Sequence, residues 1–471
     1  MAGKLFKNTL LYAIGEILPR VIGFVMLPIF TAVLTTEDYG ILSYTAAFIT
    51  FFYVLSSLSL NSYVLRSYFL CDTETEKKKL LGNIFLFIAG LNIVLLVLLF
   101  VFMPMAIEYF SIKIPWNPYF KLAVVCNFLE VFTIIPMVLY RVRQQAKYFM
   151  LLSVFRVVLQ FALVYYFVVI KSIGVIGSYY GQLIPLVLYF FICWAIILKN
   201  ATLNININQI KDGLRFSLPL LPGAIAYLIM SLSDRIILER YVSLAILGLF
   251  NVAITFSSAL NVIIQSAYRA LEPEIFKRYN TNDFSGFINK ISTIYLALVY
   301  ILAIGLALFS QEVFYFFTSE RFHSGSNIVP FIIFGILFAA HNVVFGSVLA
   351  AENNTKSIGM SMIIGGVVSI MVNICLIPYL GIYASALASA LAFLAMDILL
   401  FIRIKTSLSL KSGFINMTVY VLVVLLLQIW HPQISILTII TKAATFLTIC
   451  LVIIWLNDLQ KKIALKNILR H

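Results

Sequence analysis

Several charged side chains lie inside long apolar stretches of the sequence, where a charge needs a partner or a function. The cationic candidates are Arg20 and Arg156, and the acidic candidates are Glu16, Glu130 and Asp397. A charge at the centre of a membrane span costs about 2.5–3.5 kcal/mol on insertion scales, so such groups usually face the bundle interior or a water-filled path. Guanidinium groups in such a path could bind phosphate oxygens. Carboxylates there could bind a coupling proton or sodium ion.

Each of these charges also has a purely structural interpretation. Glu16 and Arg20 are four residues apart on one helix face and could neutralise each other. An acidic residue such as Glu130 or Asp397 could form a salt bridge with Arg156 or with another helix. His341 could carry protons, although a hydrogen-bonded buried histidine is the commoner outcome. The sequence leaves both interpretations open.

The composition explains why these charges stand out. Of the 471 residues, 62% are hydrophobic and 11% are charged, against about 25% charged residues in soluble domains. A soluble globular protein and a disordered chain are therefore excluded. Apolar runs long enough to cross a bilayer recur from residue 8 to residue 456. We predict an all-α integral membrane protein with about fourteen transmembrane helices.

In a soluble protein, a net charge of +14 would suggest nucleic-acid binding. Here, however, the basic residues are distributed unequally between the two predicted sides of the membrane. Of the 33 lysines and arginines, 24 lie in the termini and in the loops on the same side, and seven lie on the other side. Because cytoplasmic loops carry the excess of basic residues, both termini are predicted to be cytoplasmic. No nucleic-acid partner is needed to explain the charge.

Motifs for catalysis or metal binding are missing from the sequence. It has no GxxxxGK[ST] phosphate loop, no HExxH and no Gly-x-Ser-x-Gly. The five cysteines are odd in number and lack metal-type spacing, so we predict no disulfide and no metal site. These observations favour a transporter without a cofactor over an enzyme.

An internal repeat relates the two halves of the chain. LTTEDYGILSYTAAF (34–48) resembles VSLAILGLFNVAITF (242–256) and aligns Gly40 with Gly248, and two shorter matches follow at nearly the same offset. Each copy holds six spans, so both enter the membrane in the same orientation. We predict two six-helix lobes, 1–200 and 201–405, related by a pseudo-twofold axis along the membrane normal. Two additional spans and a cytoplasmic tail follow in 406–471.

Further charged candidates lie near the ends of spans. Arg66 and Arg269 are near the cytoplasmic ends of spans two and eight, the same element in each half. A negatively charged ligand would enter there, although anchoring by basic residues at the cytoplasmic face is the alternative. Asp234 and Arg235 lie toward the outer end of span seven.

Four stretches resemble the polysaccharide exporters of the multidrug/oligosaccharidyl-lipid/polysaccharide superfamily, in particular flippases of the Wzx type. They are LLYAIGEILPRVIGFVMLPIFTAVLTTEDYGILSY (10–44), SLNSYVLRSYF (59–69), SLSDRIILERYVSLAILGLFNVA (231–253) and VNICLIPYLGIYASALAS (372–389). The resemblance covers about residues 8–405. It implies a MATE-like fold, with two lobes around a cavity that opens alternately to each side of the bacterial inner membrane.

The resemblance also implies a substrate. This would be an undecaprenyl-diphosphate-linked oligosaccharide, turned from the cytoplasmic to the periplasmic leaflet for O-antigen, lipopolysaccharide or capsule synthesis. A polysaccharide polymerase and a chain-length regulator would be its protein partners. The expected substrate-binding residues are Arg20, Arg66, Arg156, Arg235 and Arg269, and the ion-coupling candidates are Glu16, Glu130, Asp234 and Asp397.

Two other functions compete with this hypothesis. A small-molecule exporter of the multidrug branch, driven by protons or sodium, would place mainly acidic residues in its cavity. A membrane polymerase or lipid-linked-sugar transferase would need a sizeable outward loop or an acidic cluster, and the outward loops here are short. Fourteen spans exceed the twelve often drawn for the polysaccharide branch. Peptidoglycan-precursor flippases also have two additional helices. The number of spans therefore leaves open which branch of the superfamily the chain belongs to.

Overall fold

The computed structural model describes residues 2–279, 281–430 and 434–458, without the side chains of 2–10, 12, 13, 16, 17, 19, 20, 267–271 and 273. Every regular element in these ranges is helical, which confirms the all-α prediction. Within them, thirteen helices are long and apolar enough to cross a membrane, and Val21–Val33 forms a shorter apolar helix. The chain is a multi-pass membrane protein.

The contacts divide the chain into two units, which are interleaved around residue 240. The first unit comprises the residues up to Leu228 together with Val242–Gly248. The second comprises Ile229–Tyr241 and the residues from Leu249 onward. The lobe boundaries at 200 and 405 stay a prediction.

The first unit is built from nine helices and the beginnings of two more. They are α1 (Ala2–Val33), α2 (Thr36–Ser57), α3 (Leu60–Ser67), α4 (Glu74–Tyr109), α5 (Lys121–Val131), α6 (Ile134–Val142), α7 (Ala146–Tyr165), α8 (Val175–Asn200), α9 (Ile207–Ser217), α10 (Leu221–Tyr241) and α11 (Leu244–Arg278). Short helical segments precede α5 and α10 and follow α7.

Local sequence explains where several of these helices begin and end. Thr35 caps α2 and Thr73 caps α4, each in a capping box with the acidic residue three positions later. Leu58 and Ser59 have φ angles of 44° and 56° and separate α2 from α3 within one apolar span. Pro136 has no amide hydrogen for the carbonyl four residues earlier, so the next span breaks between α5 and α6.

An aromatic cluster forms part of the core of the first unit. The Phe132 ring lies 5.9 Å from Phe85 and 4.9 Å from Phe190, centroid to centroid, and Trp194 packs edge-on against Phe85. Edge-to-face pairs of this kind contribute about 0.5–1.5 kcal/mol each beyond their buried area. They join α4 and α8 to the break between α5 and α6.

Hydrogen bonds hold the segment between α8 and α9 against the start of α4. The Thr202 amide donates to the Lys78 carbonyl at 3.0 Å. The buried Asn83 side chain donates to the Asn206 carbonyl at 3.0 Å and accepts from the Asn206 amide at 3.1 Å. Helix α9 is amphipathic, and its Gly213 faces Leu60 on α3.

The second unit contains most of α10 and α11 and seven further helices. These are α12 (Phe284–Leu308), α13 (Ser310–Phe317), α14 (Val329–Ala351), α15 (Thr355–Leu380), α16 (Ile382–Arg403), α17 (Lys411–Ile429) and α18 (Ile436–Leu456). Small residues allow close packing here, since Gly335 of α14 faces Ser389 of α16 and Gly365 of α15 faces Met396 of α16.

The last two helices are fixed to this unit by buried polar groups. The Ser412 hydroxyl donates to the Asn457 side chain at 2.6 Å, and Asn457 donates to Asn416 at 2.8 Å. The fully buried Lys442 ammonium of α18 donates to both carboxylate oxygens of Glu312, at 2.7 and 3.0 Å. Because a buried charge is costly without a partner, this pair holds α18 against α13.

Candidate functional site

Arg156 of α7 and Glu130 of α5 form a two-pronged ion pair inside the first unit. The Arg156 Nη1 donates to Glu130 Oε1 at 2.7 Å, and Nη2 donates to Oε2. The two side chains are 24% and 29% exposed, so the pair is neither sealed in the core nor free in solvent. A parallel guanidinium–carboxylate contact of this kind is strong and directional. Of the two interpretations that the sequence left open for Glu130, the structure shows the salt bridge.

The break between α5 and α6 positions the acidic partner. Glu130 is the penultimate residue of α5, and the Thr133 hydroxyl donates to its carbonyl at 2.7 Å. On the other side, the Tyr189 hydroxyl of α8 donates to the Leu152 carbonyl of α7, which fixes the rotation of the helix that carries Arg156. Hydroxyl groups therefore bond to the backbones of both helices that carry the charged side chains.

A cavity of about 240 Å³ lies beside this ion pair. It is lined by Gly15, Thr133, Met137, Leu152, Ser153, Arg156, Val157 and Tyr189. The Arg156 Nε is buried and has no hydrogen-bond partner within the described part of the chain. The site thus combines an unused charge-assisted donor with hydroxyl oxygens that can accept hydrogen bonds, which suits an anionic ligand that also carries hydroxyl groups.

Sequence reasoning identified the two charges of this site but not its neutral members. Thr133, Ser153 and Tyr189 were not singled out. Ser153 carried a usable signal, because it precedes Arg156 by three residues and shares its helix face. Tyr189 carried none, since its approach to α7 depends on how α7 and α8 cross.

Asp234 and Arg235 of α10 are buried in the second unit and largely satisfy one another. The Arg235 Nη1 donates to the Ser231 carbonyl at 2.7 Å and lies 3.5 Å from Asp234 Oδ1. The Arg235 amide donates to the same carboxylate oxygen at 2.7 Å. The guanidinium is therefore engaged by its own helix turn.

Asp397 of α16 lies opposite His341 of α14, also in the second unit. Their nearest atoms, Asp397 Oδ2 and His341 Nδ1, are 4.0 Å apart, which is too far for a hydrogen bond. Both side chains are buried. No group of three or more His, Cys, Asp or Glu side chains within the described ranges could hold a metal ion.

The sequence matches a model of a known protein family. A model of polysaccharide biosynthesis proteins matches residues 5–278, which is more than half of the sequence. The chain belongs to the polysaccharide biosynthesis protein family. A comparison with curated protein sequences gives no match.

Solved structures with the same fold are flippases and transporters. A lipid II flippase MurJ in an inward closed conformation has 17% identity and a TM-score of 0.73, over 96% of this chain and 99% of that chain. An inward-facing multidrug resistance MATE family transporter of the MOP superfamily has 15% identity and a TM-score of 0.63, over 83% and 94%. A MOP superfamily transporter from Pyrococcus furiosus has 15% identity and a TM-score of 0.51, over 85% and 95%.

The family model confirms the predicted resemblance to polysaccharide proteins, and the solved structures confirm the MATE-like fold. At such low identities they concern the fold and do not distinguish its branches. The polysaccharide biosynthesis family and this fold together support a flippase or transporter. The Wzx-type branch stays a prediction.

Of the remaining predicted site residues, the structure describes the side chain of Arg66. Arg66 is exposed near the end of α3, with its guanidinium 5.1 Å from the centre of the Phe216 ring, beside α9. The side chains of Glu16, Arg20 and Arg269 lie outside the described residues. All the substrate-binding and ion-coupling roles stay predictions.

Proposed function

We propose that this protein is a Wzx-type flippase that moves an undecaprenyl-diphosphate-linked oligosaccharide from the cytoplasmic to the periplasmic leaflet. It would act by alternating access in the bacterial inner membrane, with both termini in the cytoplasm and coupling to a proton or sodium gradient. Its product would feed a polysaccharide polymerase and a chain-length regulator in O-antigen or capsule synthesis. The family and the fold shared with a lipid II flippase support this proposal.

The single observation that carries it is the buried, unpartnered Nε of Arg156 in a hydroxyl-lined cavity. A diphosphate offers several charged oxygens, and guanidinium groups bind such oxygens with planar, charge-assisted hydrogen bonds. The hydroxyl groups of Thr133, Ser153 and Tyr189 line the same cavity and suit a sugar.

Glu130 gives the site a means of release. It occupies the two terminal nitrogens of Arg156, so a diphosphate would bind Nε first and then displace the carboxylate. When the substrate leaves, the carboxylate returns and neutralises the guanidinium. In this mechanism Arg156 captures the headgroup and Glu130 competes with it.

Binding measurements on two variants with opposite expected effects test the proposal. The probe is undecaprenyl diphosphate added to the purified protein in detergent, with affinity read by native mass spectrometry. Arg156→Ala should weaken binding about ten- to hundredfold, because a hydrogen bond to a charged group contributes about 1.5–3 kcal/mol. Glu130→Gln should tighten binding, because it removes the competing charge.

Arg321→Ala is the matched control, because Arg321 is exposed and belongs to the second unit. It should bind like the wild type. In a flippase-deficient host, Arg156→Ala should also reduce surface polysaccharide and accumulate the lipid-linked intermediate. Equal affinity of Arg156→Ala and Arg321→Ala at matched folded yield would rule out headgroup capture by Arg156.

The second candidate is a cation-coupled exporter of small molecules. The MATE-like fold and the acidic group within the site favour it. Here Glu130 would exchange a cation for a cationic drug, and Glu130→Gln would abolish export of a fluorescent dye. Dye export by the wild-type protein, lost in Glu130→Gln and unaffected by undecaprenyl diphosphate, would support this function over flipping.

A further inference from the structure

The pair formed by His341 and Asp397 lies in the interior of the second unit, whereas Arg156 belongs to the first unit. His341 is 8% exposed and Asp397 is 7% exposed. Their facing atoms, Nδ1 and Oδ2, are 4.0 Å apart. The fully buried Tyr300 of α12 lies beside them, with its ring centroid 5.9 Å from that of His341.

Three polar atoms of this cluster lack hydrogen-bond partners within the described residues. They are His341 Nδ1, Asp397 Oδ1 and the Tyr300 hydroxyl. Buried polar groups are nearly always paired, and each unpaired one carries a desolvation cost. Three such atoms around one carboxylate and one imidazole therefore indicate a binding site for an ion or a small ligand.

We propose that His341 and Asp397, with Tyr300, bind a single proton inside the second unit. With the carboxylate charged and the imidazole neutral, the pair carries one uncompensated negative charge. One added proton makes the pair neutral overall, as a carboxylic acid beside a neutral imidazole. A change of less than 1.5 Å in the Nδ1–Oδ2 distance would complete a hydrogen bond between them.

The neighbouring groups favour a proton over a metal cation. From α12 the titratable group facing the pair is Tyr300. Tyr420 of α17 interacts with Tyr300, and its hydroxyl donates to the Pro330 carbonyl at 2.7 Å. From α14, Phe338 and Phe345 pack against the imidazole. Hard cations need several oxygen ligands, whereas imidazole and aromatic rings form most of this wall.

The first of the two additional C-terminal helices completes the site. Gly413 of α17 lies against the imidazole so closely that a Cβ there would be 2.9 Å from His341 Nε2. Helix α17 thus reaches the ring only because this residue has no side chain.

The proton site deepens the proposed function by naming the coupling ion, and only its link to transport rests on that function. Proton binding itself can be tested without any lipid-linked substrate. Failure of the proton site would therefore leave capture by Arg156 untouched, and failure of that capture would leave the proton site untouched.

The test is the pH dependence of thermal unfolding of the purified full-length protein in detergent between pH 5 and 8.5. In the unfolded chain an ordinary aspartate is ionised above about pH 4 and an ordinary histidine is neutral above about pH 6.5, so above about pH 6.5 unfolding releases the bound proton. The folding equilibrium constant should then fall by up to about tenfold per pH unit. Asp397→Asn mimics the protonated acid and should lose this slope. Asp72→Asn, which removes an exposed carboxylate, should keep it.

Infrared difference spectroscopy on the same samples gives a second measurement. The wild type and Asp72→Asn should show a protonated carboxyl band at neutral pH that Asp397→Asn lacks, and this comparison requires only that the proteins fold. Asp397→Asn could fail to fold. In that case, the proposal is supported if the carboxyl band of the wild type disappears over the same pH range in which its stability falls. A wild-type slope equal to that of Asp397→Asn, or a response to sodium at constant pH without the carboxyl band, would overturn it.

Discussion

Gly40 of α2 and Gly248 of α11, which align in the predicted repeat, meet at one contact between the two helix backbones. A Cβ on Gly40 would collide with the Leu244 carbonyl, and a Cβ on Gly248 would collide with the Thr36 carbonyl and lie 2.9 Å from the Gly40 amide nitrogen. All four residues belong to the first unit. The helices can approach this closely because neither glycine has a side chain.

Substitution of either glycine should destabilise the protein. We expect Gly40→Ala and Gly248→Ala each to cost about 1–3 kcal/mol, the usual range for overpacking, because backbone cannot move aside as a flexible side chain can. The measurement is the melting temperature of the purified protein in detergent. Gly90→Ala and Gly359→Ala are matched controls, since a Cβ at either position meets nothing within 4 Å. Control variants that lose as much stability as Gly40→Ala would contradict this explanation.

Arg156 and Glu130 should be energetically coupled. A double-mutant cycle with Arg156→Gln and Glu130→Gln should give a coupling energy of about 1.5–3 kcal/mol, as expected for charge-assisted hydrogen bonds away from bulk water. Thermal unfolding of the four proteins provides the measurement. The pair Glu74–Lys77, in which Glu74 is 67% exposed, serves as the control. It should give about 0.2–0.5 kcal/mol, and equal coupling in the two pairs would argue against a specific site.

Lys442 and Glu312 should be needed for the docking of α18. Lys442→Met leaves a buried carboxylate without its partner and should cost about 3–5 kcal/mol. Adding Glu312→Gln should restore part of this loss, because it removes the unpaired charge. Yield of monodisperse protein and melting temperature are the measurements, with the exposed Lys147→Met as control. No recovery in the double variant would mean that packing, and not charge, holds the helix.

Asn83 should hold the segment between α8 and α9 in place. Asn83→Ala removes its bonds to Asn206 and its 2.8 Å bond to Gln209. The loss should be about 1–3 kcal/mol, the cost of leaving buried polar groups unpaired. Limited proteolysis should cut near 201–206 faster than in the wild type. Asn204→Ala, at an exposed position of that segment, should be cleaved at the wild-type rate.

Much of the fold was predictable because membrane insertion depends on hydrophobicity summed over about 20 successive residues. The all-α membrane fold is confirmed, and thirteen of the predicted spans correspond to helices of the described residues that are long and apolar enough to cross a membrane. In the first predicted span, Val21–Val33 forms a shorter apolar helix. The missed details include the break between α2 and α3 at Leu58 and Ser59, the break between α5 and α6, and the amphipathic helix α9. A break of one or two residues barely changes a summed hydropathy, and α9 is too short and polar to register as a span.

The sequence by itself determined which charges would have to be accommodated away from water, since Glu130, Arg156 and Asp397 stand in apolar runs that cannot lie in solvent. Only the tertiary structure decided their partners. Glu130 meets Arg156 from 26 residues away, and Asn83 meets Asn206 from 123 residues away. Asp397 likewise faces His341 on a different helix. Such pairings depend on the height and rotation at which helices cross, and those follow from the fit of many side chains at once, which no local pattern encodes.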